Sequence, residues 1–451
     1  MRSPFWFLIP TAAAALTAAV VFSGAAPGAE VEDAQGCGRR IFMRHCVHCH
    51  GNQGAGDGLL ADRLLPKPRD FTRGRFLLVS GENGVPTLND LKTTICNGIP
   101  GTAMPSFGHL GCGDVEAVAG YVLQLAASGL EEQLVEEIQL NEGEVDLVQV
   151  EEMVVERLVP EAEIEIPPPS LAAQSELSPL PLYRKYCADC HGAQGRGDGV
   201  REMQDERGQP TKPRDIRDGI FKGGGDFASL YKRIRLGMPG SAMPAFAMSD
   251  EEAAVLVALV QRMAQNGGQV PMPEAVQAVW LSELPKGSDA EAWRGIPQVE
   301  IPVQPLRWID EPARSVHVQA AHDGREIAFR MAWELNPASS RQVNAGIQLC
   351  NYVDPPFFTG FHGGQQDLCV FRPPQEPPEE LKPYIRRIQG TAVAEEGLAE
   401  VVLRRPLAPS GDLQCDLRPE AGLRYGQFLI ATVGEDQKPA EAFSLWLPIQ
   451  R

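Results

Sequence analysis

The sequence predicts a multidomain chain: two all-α domains in tandem, followed by an all-β, sandwich-like domain. Three observations carry this expectation. A block of four motifs occurs twice, in the same order, between residues 30 and 266. Helical apolar segments bracket each copy. From about residue 276 that spacing gives way to short β-branched runs broken by Gly, Pro and Asp. At 451 residues the chain is too long for one compact core.

The N-terminus comes first. Arg2 precedes an apolar run from Phe5 to Phe22, then small residues through Ala29. Residues 1–29 therefore read as a cleaved export signal. The run also approaches the roughly 18–20 residues that span a bilayer, so an uncleaved anchor is the alternative. Either reading places the remainder outside the cytoplasm, in the periplasm or an equivalent compartment, with membrane contact only if the segment is retained.

The repeats follow, at 30–130 and 179–266. The first holds Cys46, Cys49, His50 and Gly51, with Gly54, Gly56, Asp57 and Gly58 behind them. The second holds Cys187, Cys190, His191 and Gly192, then Gly195, Gly197, Asp198 and Gly199. Each continues with Lys-Pro-Arg-Asp (67–70 and 212–215) and Pro-Gly-x-Ala-Met-Pro-x-Phe (100–107 and 239–246). Cys187 lies 141 residues after Cys46, and Met243 lies 139 after Met104. Helices are expected at 36–46 and 179–187, leading into the Cys motifs. Others are expected at 113–127 and 249–264, the last with Ser249 as N-cap and Glu252 three residues on.

Between the repeats lies a connector, 131–178, with 14 acidic residues and one basic residue. It supplies −13 of the chain's net −18. Apolar residues partly alternate at 144–150 and 161–166, and three prolines follow at 167–169. It reads as a solvated acidic linker, or as an extended arm adding a strand to a sheet. In 276–451, runs at 316–320, 327–331, 345–349 and 399–403 read as strands of a β-sandwich.

The repeated Cys-x-x-Cys-His motif carries the chemistry. Covalent haem attachment needs two thiols that reach two vinyl groups, with an imidazole next to them for the iron. This spacing supplies all three within about one helical turn. A zinc site would need further Cys or His at paired spacing, and a thioredoxin-like site would not need the His. Two haem c groups are thus expected, on Cys46 and Cys49 and on Cys187 and Cys190, with His50 and His191 on the irons. Met104 and Met243, in matching loops, are the expected sixth ligands. His45, His48 and His109 are alternatives for the first iron, but none has a counterpart in the second repeat. Met238 stands where the first repeat has Ile99, and reads as packing. Lys67, Arg69, Lys212 and Arg214 read either as partners of haem propionates or as solvent-facing turns. The remaining cysteines, Cys37, Cys96, Cys112, Cys350, Cys369 and Cys415, allow several pairings, and the sequence fixes none.

Residues 36–127 and 179–264 resemble class I cytochrome c domains. The stretch from Gly84 to Pro105 looks like a subgroup found beside periplasmic respiratory enzymes. The resemblance implies helices wrapped around one haem, with an edge open to electron exchange. Residues 276–451 resemble the haem-binding γ subunit of ethylbenzene dehydrogenase and related type II molybdenum enzymes. The residues that carry this are Val279-Trp280, Asp289 to Trp293, Pro305, Val316 to Gly324, Phe329 to Trp333, and Phe443 to Trp446. That family binds a b-type haem between Met and Lys. Here no Met follows Met331 and no Lys directly precedes Ser444, which argues against a third, b-type haem.

With both axial positions filled, no catalytic site is expected. The function read from the sequence is electron transfer between a periplasmic oxidoreductase, a molybdenum enzyme where the γ-subunit resemblance holds, and a respiratory complex or another cytochrome. A dihaem enzyme such as a peroxidase is the alternative, and needs an iron with an open position. A third reading makes the C-terminal domain a sensor or binding module. A chain of net charge −18 with no basic face excludes nucleic acid as a partner.

Overall fold

The computed structural model describes residues 34–141, 143–264, 271–289, 291–306, 314–335, 342–350, 366–371, 385–387, 390–395, 397–409, 415, 417–418, 424–433, 439–444 and 447–450. The expected export signal or anchor, 1–29, lies outside them. Among the described residues, no helix is long and apolar enough to cross a membrane.

The first repeat forms α1 (Ala34–His45), α2 (Val47–His50), α3 (Leu88–Asn97) and α4 (Cys112–Asn141). Thr87 and Asp90 close a reciprocal capping box on α3. That S/T-x-x-acid signature lies in the sequence and marks a helix the apolar spacing alone leaves unread. Phe42, Phe71, Val118, Ala119 and Val122 pack together as its core.

The connector is neither a solvated spacer nor a strand. Helix α4 continues through its first eleven residues to Asn141, and α5 (Leu147–Leu158) folds back onto it. Leu130, Leu134, Val150 and Val154 meet in a buried cluster. The physical reason is spacing: each of these pairs stands at i, i+4, which outweighs the local alternation around 144–150. Asp146 starts α5 by accepting from the Val148 N–H at 3.0 Å. The stretch beyond is extended and tied to both repeats: Asn83 Nδ2 donates to the Val159 carbonyl at 2.9 Å, Ile164 N–H donates to the Ser80 carbonyl at 2.9 Å, and Lys232 pairs with Glu163 at 3.3 Å. Helix α6 (Ser170–Gln174) follows.

The second repeat reproduces the first with α7 (Pro179–Tyr186), α8 (Ala188–His191), α9 (Phe227–Leu236) and α10 (Asp250–Met263). Ser249 and Glu252 form the expected capping box. A two-residue pairing, β1 (Met203–Gln204) with β2 (Pro210–Thr211), is an addition to this copy.

The remaining strands form one twelve-stranded sheet among the described residues: β3 (Val276–Trp280), β4 (Val299–Pro305), β5 (Ser315–His322), β6 (Glu326–Glu334), β7 (Gln342–Cys350), β8 (Gln366–Phe371), β9 (Ile385–Arg387), β10 (Gly390–Glu395), β11 (Leu398–Pro406), β12 (Tyr425–Val433), β13 (Pro439–Ser444) and β14 (Leu447–Gln450). The four runs read from the sequence fall inside β5, β6, β7 and β11. Val318 pairs with Met331, and Met331 with Val401. Ile347 pairs with Phe428 across β7 and β12. The side chains of these two groups of strands share one core, with Phe329 edge-on to Phe428 at 6.0 Å. β4 joins the groups by pairing with both β5 and β13.

The sheet abuts the first repeat. Leu65 N–H donates to the Leu306 carbonyl at 2.9 Å. Phe443 packs with Leu64 and Ala103, beside Cys49.

Candidate haem-binding site

In each repeat the chain makes one helical turn from the first Cys to the His. His50 N–H donates to the Cys46 carbonyl at 2.9 Å, and His191 N–H to the Cys187 carbonyl at 2.8 Å. Two thiols and an imidazole therefore project from a single turn, as a tethered porphyrin requires.

Burial keeps the two imidazoles neutral. His50 Nδ1 lies 3.0 Å from the Arg69 carbonyl, and its ring stacks on Phe71 at 4.4 Å. Burial pulls its pKa down to about 4, against the opposing pull of that carbonyl. A neutral ring that donates Nδ1–H keeps Nε2 as a lone-pair donor, the tautomer a metal needs. His191 lies near the matching carbonyl of Arg214, but its buried Nδ1 makes no hydrogen bond, and burial lowers its pKa as well. The thiols of Cys46, Cys49 and Cys187 are each pushed up to about 12 by burial.

The two Met loops share one construction. Ile99 N–H donates to the Met104 carbonyl, and Met238 N–H to the Met243 carbonyl, both at 3.0 Å. A hydroxyl two residues back accepts from each Met N–H: Thr102 Oγ1 and Ser241 Oγ, both at 3.2 Å. Each loop leaves its helix at a glycine with φ of +65°, Gly98 or Gly237. A Cβ there would stand 2.4 Å from the carbonyl carbon of Pro105 or Pro244. Gly98→Ala is thus expected to destabilise the first repeat by about 2 kcal/mol or more, since strain and collision both act. Denaturant unfolding measures the loss.

All eight residues read from the sequence line one cavity: Cys46, Cys49, His50 and Met104 from the first repeat, Cys187, Cys190, His191 and Met243 from the second. The motifs lie 141 residues apart, yet the fold points them into one space. His45 also lines it, while His48 and His109 do not. Met238 and Ile99 occupy matching places on the wall.

Basic residues join the halves. Arg69 Nη1 donates to Glu206 Oε1 at 2.7 Å. Arg207 Nη2 donates to the Ala55 carbonyl at 3.2 Å and lies 3.7 Å from Asp70. Arg214 reaches the Pro100 carbonyl, and Arg233 reaches the carbonyls of Leu77 and Val79. Lys67 instead turns to Asp62 and the Ala61 carbonyl, both at 2.9 Å. Lys222 is the residue sequence reasoning missed. Burial, with Arg214 and Arg69 nearby, pulls its pKa down to about 7. Only its place before the glycines 223–225 hinted at a special setting. Seven Lys and Arg side chains line the cavity against four Asp and Glu, so its electrostatics favour an anion.

The donor set fits covalently bound haem: paired thiols, a neutral imidazole with its distal nitrogen free, a thioether on a held loop, and cations for propionates. Among the described residues, no group of three or more His, Cys, Asp or Glu is gathered as a bare metal ion would need.

Comparison with known proteins agrees with this chemistry. Residues 34–122 and 177–260 match the family model described as cytochrome C oxidase, cbb3-type, subunit III. These stretches are c-type cytochrome sequence, a family that carries covalently bound haem c. No curated protein matches the chain. Among solved structures, a reducing HAO-like protein complex of Kuenenia stuttgartiensis is 29% identical over 52% of this chain and 98% of its own, with a TM-score of 0.41. A family 9 carbohydrate-binding module of Caldicellulosiruptor kristjanssonii, solved with cellotriose, is 8% identical over 39% of this chain and 92% of its own, TM-score 0.25. A carbohydrate-binding protein of Bacteroides uniformis is 14% identical over 39% and 96%, TM-score 0.23.

Proposed function

We propose that this c-type cytochrome carries two haems in its one cavity and moves electrons between them and an outside partner. Cys46 and Cys49 hold the first haem, with His50 and Met104 on its iron. Cys187 and Cys190 hold the second, with His191 and Met243. The observation that carries the reading is the convergence of all eight side chains on a single space. Two haems so placed exchange electrons through the protein interior, without a diffusing carrier. Arg69, Arg214 and Lys222 receive the propionates, whose charge offsets the burial of three cations.

The two sites differ in cover. Thr102, Ala103 and Pro105 around the first Met are buried, with Phe443 of the sheet packed on Ala103. Pro244 and Ala245 after the second Met are exposed. The second haem is therefore the port to the partner, and the sheet shields the first. Met331 lies fully buried in the sheet core, which supports the sheet as a cover rather than a third haem site. The partner is an extracytoplasmic oxidoreductase on one side and a respiratory acceptor on the other. Filled axial positions favour a carrier over a peroxidase.

The test is a pyridine haemochrome assay with intact mass on the exported protein. Two covalent haems per chain and ferrous protein that resists carbon monoxide are expected. One haem per chain, or rapid carbon monoxide binding, overturns the proposal.

A further inference from the structure

Haem attachment leaves three cysteines over in the first repeat: Cys37, Cys96 and Cys112. In the structure all three are thiols, with Cys112 exposed and Cys96 half-buried. Helices α3 and α4 are bridged by Lys92 and Glu116, whose Nζ and Oε2 stand 2.7 Å apart. One helical turn from that pair toward the connecting loop comes Cys96 on α3 and Cys112 on α4. The two thiols are thus the next facing pair, and the Lys92 ammonium lies within electrostatic reach of both.

The second repeat shows what belongs at this place. Cys96 is the next-to-last residue of α3, and Arg235 is the next-to-last residue of α9. Cys112 opens α4, and Asp250 opens α10. Arg235 and Asp250 form an ion pair across the two helices. The competing partner faces elsewhere. Cys37 sits against Asp114, its Sγ 3.9 Å from Oδ1, and the neighbouring Gly38 packs on Ala117. At about 100° per residue, positions 114 and 117 lie on the side of α4 opposite 112 and 116.

We propose that Cys96 and Cys112 form a disulfide in the mature protein. It staples α3 to α4 and closes the loop that carries Met104, as the ion pair does for Met243. The proposal rests on the export reading above, because the bond needs an oxidising compartment. The oxidant is the disulfide of a thiol–disulfide oxidoreductase. The exposed Cys112 thiolate attacks it and forms a mixed disulfide. The Cys96 thiolate then attacks Sγ of Cys112, and the oxidoreductase leaves as a dithiol that holds the two electrons. Two protons are released from the cysteines, and two are taken up by the dithiol.

Peptide mapping of the exported holoprotein tests this. Thiols are blocked with iodoacetamide in denaturant without reductant, and the protein is digested. The Cys96 and Cys112 peptides are expected joined, two hydrogens lighter than the free pair, and separated by dithiothreitol. Cys96→Ser should make Cys112 open to alkylation, while Cys37→Ser should leave the bond intact. Alkylation of both Cys96 and Cys112 in the unreduced protein, or a link from either to Cys37, overturns the proposal. The same digest reports haem on the Cys46–Cys49 peptide, so failure of the haem reading is seen separately. In the Cys96→Ser, Cys112→Ser variant, imidazole should displace one of the two Met ligands several-fold faster. Unchanged displacement at both haems overturns the stapling role.

Discussion

Replacing both Cys187 and Cys190 by alanine is expected to halve the haem per chain and to unfold the second repeat. The wall of the cavity explains the second effect. Ile216, Leu230, Ile234 and Val260 belong to the core of that repeat and also line the cavity. Without a porphyrin, one side of this core faces water. Covering the apolar wall of this repeat, at about 25 cal/mol/Å², contributes several kcal/mol. Ordinary domains are stable by about 5–15 kcal/mol in total. A loss of several kcal/mol takes a large part of that margin. Limited proteolysis should then cut within 179–264, while the peptides of β5, β6 and β11 stay protected. Haemochrome absorbance per chain measures the first effect. Unchanged haem content would remove Cys187 and Cys190 from the attachment site. A compact second repeat without haem would mean that its core closes by other means.

The geometry of each Cys-x-x-Cys-His turn was legible because it is local. Two thiols and an imidazole on one turn need no tertiary information, and the repeat of Met104 at Met243 marked both thioethers. Helix α10 was legible for the same reason, since its cap Ser249 and its apolar stripe lie within one segment. The shared cavity was not legible, because it depends on contacts such as Arg69 with Glu206, 137 residues apart. The same holds for Lys222, whose setting is made by burial, with Arg214 and Arg69 from different loops beside it. The connector misled because its charge dominates composition while a few apolar residues decide its fold. Leu130, Leu134, Val150 and Val154 suffice to dock α5 on α4, and the described glutamates remain on the outside. Acidic composition marks a spacer only where no i, i+4 pair finds a partner.

The second large effect is expected from Met104→His, at the more enclosed site. A thioether favours ferrous iron, so an imidazole in its place lowers the reduction potential. Axial ligands set haem potentials over a range of about 0.8 V, and a change on the order of 0.2 V is expected here. For one electron, about 59 mV is a tenfold change in equilibrium. The distribution of an electron between the two haems should therefore move by about three orders of magnitude, toward the haem held by Met243. The loop can accept the exchange, because the Met104 N–H and carbonyl are fixed by Thr102 and Ile99 through backbone and hydroxyl contacts that do not involve the side chain. Spectroelectrochemical titration should show one wave displaced to lower potential and the other nearly unmoved. The same change at Met243 should displace the other wave and slow exchange with the partner, since that site is the exposed one. Two waves that both stay in place in the Met104→His protein would show that Met104 is not on the iron. Two waves that move together would show haems coupled too tightly for either site to be a separate port.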